Sequence, residues 1–150
     1  MVQIKSSQAM GSFLGRGTHV WLEIISEDGT KTTFSGAKGG VHLGIIKNYK
    51  KDYDKPSTRG TIEIPPHDAF TQEMWDRKII EAGDIIIEKF HKHYLYKGFL
   101  PFGKNRGNCC TVINAIIEEA GGKIPRQRIQ GWTPSLGHPK GGECLLCPIS

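Results

Sequence analysis

The stretch from Gly107 to Gly122, GNCCTVINAIIEEAGG, constrains the fold more than any other part of the chain. Its apolar residues recur at the spacing of an α-helix with one buried face, and the two closing glycines are typical of a helix end. A face of this kind must pack on another layer of the protein. The residues that form it are Val112, Ile113, Ile116, Ile117 and Ala120.

Two cysteines stand where this helix begins. Cys109 falls near the centre of the apolar face, and Cys110 lies about 100° away on its flank. The positive end of the helix dipole stabilises a thiolate and lowers the pKa of a cysteine placed there. The position therefore suits a nucleophile, and it equally suits a small buried hydrophobic residue.

The first half of the chain is rich in strand patterns. Thr18–Ile25 alternates in polarity, Asp28 and Gly29 supply a turn, and KTTFSG returns as the second strand of a hairpin. VHLGII and TIEI are shorter strand-like segments, separated from this hairpin and from each other by GAKGG and by the polar loop KNYKKDYDKPSTRG. The residues before Gly17 form a glycine-rich lead-in without a clear pattern.

A long helical pattern runs from Asp68 to about His93. The sequence therefore predicts an α+β fold in which a small antiparallel sheet packs against the cysteine helix and a second long helix. With 150 residues, of which 37% are hydrophobic, we expect one domain spanning residues 1–150, with an irregular tail from about residue 126.

The formal net charge of +5 suits an anionic partner such as nucleic acid, a membrane surface or bacterial cell wall. No run approaches the ~20 apolar residues of a membrane span, so we expect no stable membrane insertion. The first residues lack the apolar segment of a signal peptide. We therefore expect synthesis in the cytoplasm and export, if any, by a dedicated route.

A cysteine nucleophile needs a base, and histidine is the usual one. Of the six histidines, only His19 lies near the start of a long alternating strand pattern, where Val20, Leu22 and Ile24 fix its backbone. The alternative interpretation of His19 is a strand-end side chain that is satisfied by solvent.

Two segments together resemble the circularly permuted branch of the NlpC-type, papain-like cysteine hydrolases. They are GTHVWLEIISEDGTKTTFSG and, much later, GNCCTVINAIIEEAGGKIP, so the resemblance covers roughly Gly17 to Pro125. The chain departs from that pattern at Thr18, which stands between the glycine and the histidine, at Cys110, which replaces a threonine, and in the tail. The matching residues are His19, Asp28-Gly29, Ser35-Gly36, Tyr94, Tyr96, Asn108-Cys109-Cys110-Thr111, Ala120-Gly121 and Pro125.

The resemblance implies a permuted papain-like fold in which Cys109 attacks a carbonyl and His19 protonates the leaving group. The backbone N–H of Cys109 and the side chain of Asn108 are the candidate donors to the oxyanion. Ser35 is the favoured third residue that orients the histidine, because an even offset along the hairpin places it on the same face; Thr33 is the alternative. No cofactor is required.

The same resemblance implies an amidase or endopeptidase that cleaves peptidoglycan stem peptides. Without a signal peptide, such an enzyme would be an antibacterial effector, delivered to a target periplasm by an injector such as type VI secretion and paired with an immunity protein. Related folds also include lipid acyltransferases or lipases and protein deamidases, and these would share His19 and Cys109.

Two non-enzymatic alternatives remain open. The tail residues Cys144 and Cys147 form a Cys-x-x-Cys that could bind zinc with His138, form a disulfide or stay reduced. The basic residues could instead hold nucleic acid, although the sequence contains no nucleic-acid motif and we expect no such partner. Cys110 has two interpretations of its own: a buried replacement for threonine, or a strained disulfide partner of Cys109.

Overall fold

The computed structural model describes residues 1–8, 18–92, 95–96 and 106–132. The predictions made for Tyr94, His138, Cys144 and Cys147 lie outside these residues.

Seven strands and three helices are formed by the described residues. The strands occur in the order β5-β1-β2-β3-β4-β6-β7 across one sheet. Neighbouring strands are antiparallel except for the two-residue strands β6 and β7, which pair in parallel. In chain order the elements are β1 (Val2–Gln8), β2 (Thr18–Ile25), β3 (Lys31–Gly39), β4 (His42–Lys47), α1 (Lys50–Tyr53), β5 (Gly60–Ile64), α2 (Gln72–Phe90), β6 (Leu95–Tyr96), β7 (Arg106–Gly107) and α3 (Cys109–Glu119).

The two long helices cover one face of the sheet. Alternate residues of β2, among them Val20 and Leu22, point to this face because successive side chains of a strand lie on opposite sides. They pack with Phe34 of β3 and with the apolar faces of α2 and α3 in a single core. The predicted α+β class, with an antiparallel sheet and two helices, is confirmed.

The other face of β2 and β3 carries polar and aromatic side chains that are nevertheless buried. Trp21, Glu23, Thr33 and Ser35 are each at most 2% exposed. The short helix α1 contacts β3 on this side. The sheet is therefore covered on both faces near the middle of β2, by a large apolar layer and a small polar one.

Several elements differ from the sequence predictions. The long helix α2 spans Gln72–Phe90, with Thr71 as its N-cap, rather than Asp68 to about His93. Residues 2–8, expected to be part of an unpatterned lead-in, form the inner strand β1, whose residues Val2 and Ile4 are buried. β3 continues through Lys38 and Gly39, where a loop was expected, because β4 pairs with it as far as Gly39 opposite His42. The polar loop after β4 contains α1. β1 and α1 form because of partners distant in sequence, namely β2 and β5 for β1 and His19 for Asp52 of α1, whereas β3 is extended by its local hairpin with β4.

Within the described residues, no helix is long and apolar enough to cross a membrane.

Candidate active site

Helix α3 begins at Cys109, as its apolar pattern predicted. Asn108 is the N-cap residue: its side-chain oxygen accepts hydrogen bonds from the backbone N–H groups of Cys110 at 3.0 Å and Thr111 at 3.4 Å. The Thr111 hydroxyl accepts from the Asn108 backbone N–H at 3.1 Å, which completes a reciprocal capping box. The start of the helix is thereby held in one position, and with it the backbone of Cys109.

The sheet opens where α3 begins. The pairing of β2 with β3 runs from Ile25 opposite Lys31 to Leu22 opposite Phe34, although both strands continue beyond that point. The Cys109 sulfur accepts a hydrogen bond from the backbone N–H of Val20, in the part of β2 beyond this ladder. The thiol thus occupies the place at which two strands part.

Gly36 makes this approach possible. A methyl group on Gly36 would lie 3.1 Å from the Cys109 Cα and 2.8 Å from the Val112 Cγ2. Since both distances are shorter than ordinary carbon contacts, any larger residue would push α3 away from β3. The small residue in the return strand is therefore required by the close approach of the helix.

His19 projects from β2 toward the face covered by α1. Its side chain is 18% exposed, and its ring stacks on that of Trp21 at a centroid distance of 5.9 Å and an interplanar angle of 18°. The Nε2 atom lies 3.0 Å from Oδ1 of Asp52. The imidazole also forms a hydrogen bond with the Cys109 thiol. Residues 90 positions apart in sequence are thus in contact.

Asp52 is the functional candidate that sequence reasoning missed. Its side chain is 2% exposed, in contrast to the solvated position expected for this lysine-rich segment. Asn48, with a φ of 54°, ends β4, and its side chain accepts a hydrogen bond from the Thr33 backbone N–H at 2.9 Å. Lys31 binds the carbonyl oxygen of Tyr53 at 3.0 Å. These two anchors hold α1 against β3 and direct the carboxylate to the imidazole.

The pKa values of His19 and Cys109 are shifted in opposite directions. Burial lowers the pKa of His19, but the hydrogen bonds to Asp52 and to Cys109, together with their negative charges, more than offset burial and raise it to about 9. The pKa of Cys109 lies well below its ordinary value, because hydrogen bonds from Cys110, His19 and the Val20 backbone outweigh burial of the thiolate. Both shifts favour the thiolate–imidazolium pair over the neutral thiol and imidazole.

Ser35, the predicted orienting residue, is fully buried in β3, and its hydroxyl has no hydrogen-bond partner among the residues that the structure describes. Thr33 is in the same situation. Glu23, four residues beyond His19, forms an ion pair with Lys5 at 2.8 Å. The acidic side chain at hydrogen-bond distance from His19 is that of Asp52.

Cys110, the second residue of α3, contacts the segment that follows the helix. Its sulfur is 3.0 Å from the carbonyl oxygen of Gly131, so its single proton has two acceptors within reach, that carbonyl and the Cys109 sulfur. Both cysteines are buried thiols that form no disulfide with each other. Gly131 has a φ of 87° and packs directly on Thr18, where a methyl group would be 2.3 Å from the Thr18 Cγ2. Residues after α3 therefore form one side of the site.

No local pattern marked Asp52, because its neighbours Lys50 and Lys51 make the segment resemble a solvated loop. The one available signal was weak: an acid preceding Tyr53 in a segment short enough to fold back on the hairpin. The alternation along β2 predicts that Trp21 lies on the same face of the strand as His19, but it does not predict that the two rings stack.

Among the described residues, no group of three or more histidine, cysteine, aspartate or glutamate side chains is arranged to hold a metal ion. Comparison with family models, with curated proteins and with solved structures finds no match to this chain.

Proposed function

We propose that this protein is a cysteine hydrolase that cleaves an amide bond through Cys109 and His19, in a permuted papain-like arrangement. The observation that carries the proposal is the contact of one imidazole with both a thiol at a helix N-terminus and a buried carboxylate. Chain order supports the permutation, since the histidine strand precedes the cysteine helix.

The reaction begins with the ion pair already formed. The Cys109 thiolate attacks the carbonyl carbon, and the imidazolium of His19 gives its proton to the leaving amine as the carbon–nitrogen bond breaks. Water then attacks the thioester, His19 takes a proton from that water, and the acid product leaves as the thiolate is restored. Asp52 acts as a positioning residue, which holds the ring and stabilises its positive charge.

The oxyanion has one well-defined candidate donor. The capping box uses the N–H groups of Cys110 and Thr111 and leaves that of Cys109 directed out of the helix terminus. The side-chain oxygen of Asn108 accepts the hydrogen bonds of the cap, so only the side-chain NH₂ group of Asn108 could donate to the oxyanion. This donor set suits a tetrahedral intermediate at Cys109.

We propose peptidoglycan stem peptides as the substrate, with the protein acting as an antibacterial effector in a target periplasm and neutralised by an immunity protein. The support is the net positive charge, which suits a carboxylate-bearing polymer, and the resemblance of the two site segments to cell-wall hydrolases. Lipid acyl transfer and protein deamidation use the same two residues and are distinguished by experiment.

The test is expression in bacteria in two compartments, with and without an added secretory signal, followed by mass spectrometry of purified muropeptides. We expect tolerance in the cytoplasm, lysis or rounding with the signal, and cleaved stem peptides in the periplasmic samples. His19→Ala and Cys109→Ala should be harmless in both compartments, because the chemistry requires both side chains.

The matched control is Cys110→Ser, which changes the adjacent thiol and retains a hydrogen-bond donor toward Gly131. It should remain toxic in the periplasm. Toxicity confined to the cytoplasm would contradict the cell-wall assignment and leave the cysteine mechanism standing. Periplasmic toxicity that survives Cys109→Ala would contradict the mechanism itself.

A further inference from the structure

A groove with a volume of about 1050 Å³ lies beside the C-terminal end of α3. Its lining comes from the end of α3 and from the segment after it, residues 122–132. That segment starts at Gly122, whose N–H binds the Ile117 carbonyl near the C-terminal end of the helix at 2.9 Å. It reaches the N-terminal end at Gly131, whose carbonyl accepts from the Cys110 sulfur. The segment that lines the groove therefore spans the length of the helix that carries the nucleophile.

The charges along the groove are mostly positive. Lys123, Arg126 and Arg128 line it, and all three are exposed. In the part of the chain that the structure describes, none of the three forms an ion pair, whereas several other surface lysines and arginines do. Glu118 is the one acidic residue of the lining. The groove thus has an excess of two positive charges.

The walls are firmly built on the side nearest the site. Trp132 is 6% exposed, belongs to the main core, and donates from its indole nitrogen to the Pro125 carbonyl at 3.0 Å. Ile129 packs against Gly60: a methyl group added at Gly60 would lie 2.7 Å from the Cγ2 atom of Ile129. The backbone that presents Arg126 and Arg128 is therefore tied to the sheet at one end.

The geometry matches the length of a short peptide. Cys109 and Glu118 are nine residues apart on one helix, which corresponds to about 13.5 Å at roughly 1.5 Å per residue. An extended chain covers that distance in about four residues at roughly 3.3 Å each. A substrate chain that extends along α3 from a scissile carbonyl at Cys109 would reach Glu118, at the edge of the groove, within about four residues.

We propose that the groove binds the part of the substrate that carries carboxylates, and that Arg126 and Arg128 select for acidic chains. This inference rests on the proposed function for the identity of the occupant. Binding itself does not require catalysis, so it is tested in a protein without the nucleophile. Arginine suits the role because its planar guanidinium pairs with a carboxylate in bidentate fashion.

The experiment measures fluorescence anisotropy of fluorescein-labelled hexaglutamate, with hexaglutamine as the neutral probe, on the Cys109→Ala protein at two salt concentrations. We expect hexaglutamate to bind more tightly than hexaglutamine and to weaken as salt rises. Arg126→Gln combined with Arg128→Gln should weaken hexaglutamate binding roughly five- to tenfold. The control, Arg77→Gln with Lys78→Gln, removes the same charge from a different surface on α2 and should change binding less than about twofold.

Equal binding of the two peptides, or equal losses in the two double variants, would overturn the inference. Tighter binding of a polyphosphate of the same charge would overturn the choice of a carboxylate-bearing chain. With active protein and stem peptides, the groove variant should raise KM and leave kcat unchanged, because the groove does not touch the reacting atoms. Peptide binding in the absence of any hydrolysis would support the groove and count against the proposed reaction alone.

Discussion

Replacement of Asp52 by asparagine should lower the pKa of His19 while leaving the fold intact. The carboxylate lies 3.0 Å from Nε2 and is almost fully buried, so its charge acts on the imidazole with little screening. Asparagine has the same shape and keeps an oxygen acceptor, but it loses the charge. The substitution therefore isolates electrostatic stabilisation from packing.

The size of the expected effect follows from the pKa of His19, which is about 9 in the folded protein compared with the ordinary 6.5. This difference corresponds to about 3.4 kcal/mol of preference for the imidazolium, at 1.36 kcal/mol per pKa unit. Asp52 shares that preference with Cys109. An opposite charge in contact is worth about 1–3 pKa units, so we expect Asp52→Asn to lower the His19 pKa by about 1–2 units.

The sign of the stability effect is also defined. Because the folded-state pKa of His19 is raised from 6.5 to about 9, the imidazolium stabilises the folded state fully below pH 6.5, and this stabilisation is lost as the pH rises through about 9. In Asp52→Asn the stabilisation should be smaller and its loss should be complete at a lower pH, since the folded-state pKa is closer to its ordinary value.

The assay is an NMR titration of the His19 ring in uniformly labelled protein, assigned by comparison with His19→Ala. The matched control is Asp54→Asn, which removes an exposed acid two residues away and should leave the His19 midpoint unchanged. A wild-type midpoint near 6.5, or the same midpoint in Asp52→Asn as in the wild type, would refute the assignment of Asp52 as the positioning residue.

Two further predictions concern the start of α3. Gly36→Ala should lower the free energy of unfolding by about 1–3 kcal/mol and slow the alkylation of Cys109 by iodoacetamide, since a methyl group would lie 3.1 Å from the Cys109 Cα. The control is Gly39→Ala, whose added methyl group would have its nearest contact at 3.9 Å. Equal effects of the two substitutions would contradict the close-approach argument. Asn108→Ala should cost about 0.5–2 kcal/mol in urea unfolding through loss of the N-cap. Asn108→Asp should keep the cap, and unchanged hydrolysis in that variant would exclude the side-chain amide as an oxyanion donor.

Local patterns were sufficient for the elements that carry the two reacting side chains. The spacing of the apolar residues in α3 and its closing glycines predicted the helix and its first residue, because an amphipathic face and its caps depend on residues close together in sequence. The alternation of Thr18–Ile25 predicted β2 with its boundaries, and so the position of His19 near its start. Chain order and residue type together then made His19 and Cys109 the natural pair to expect.

The partner of the histidine and the opening in the sheet were decided only by the tertiary structure. Asp52 is buried because Asn48 and Lys31 hold α1 against β3, and neither contact can be inferred from a segment in which lysines and acids alternate. β2 and β3 part next to Gly36 because the start of α3 packs there. This contact joins three segments that are distant in sequence. The pKa values of His19 and Cys109 follow from that packing, because burial and charge depend on distances that the order of residues along a chain does not specify.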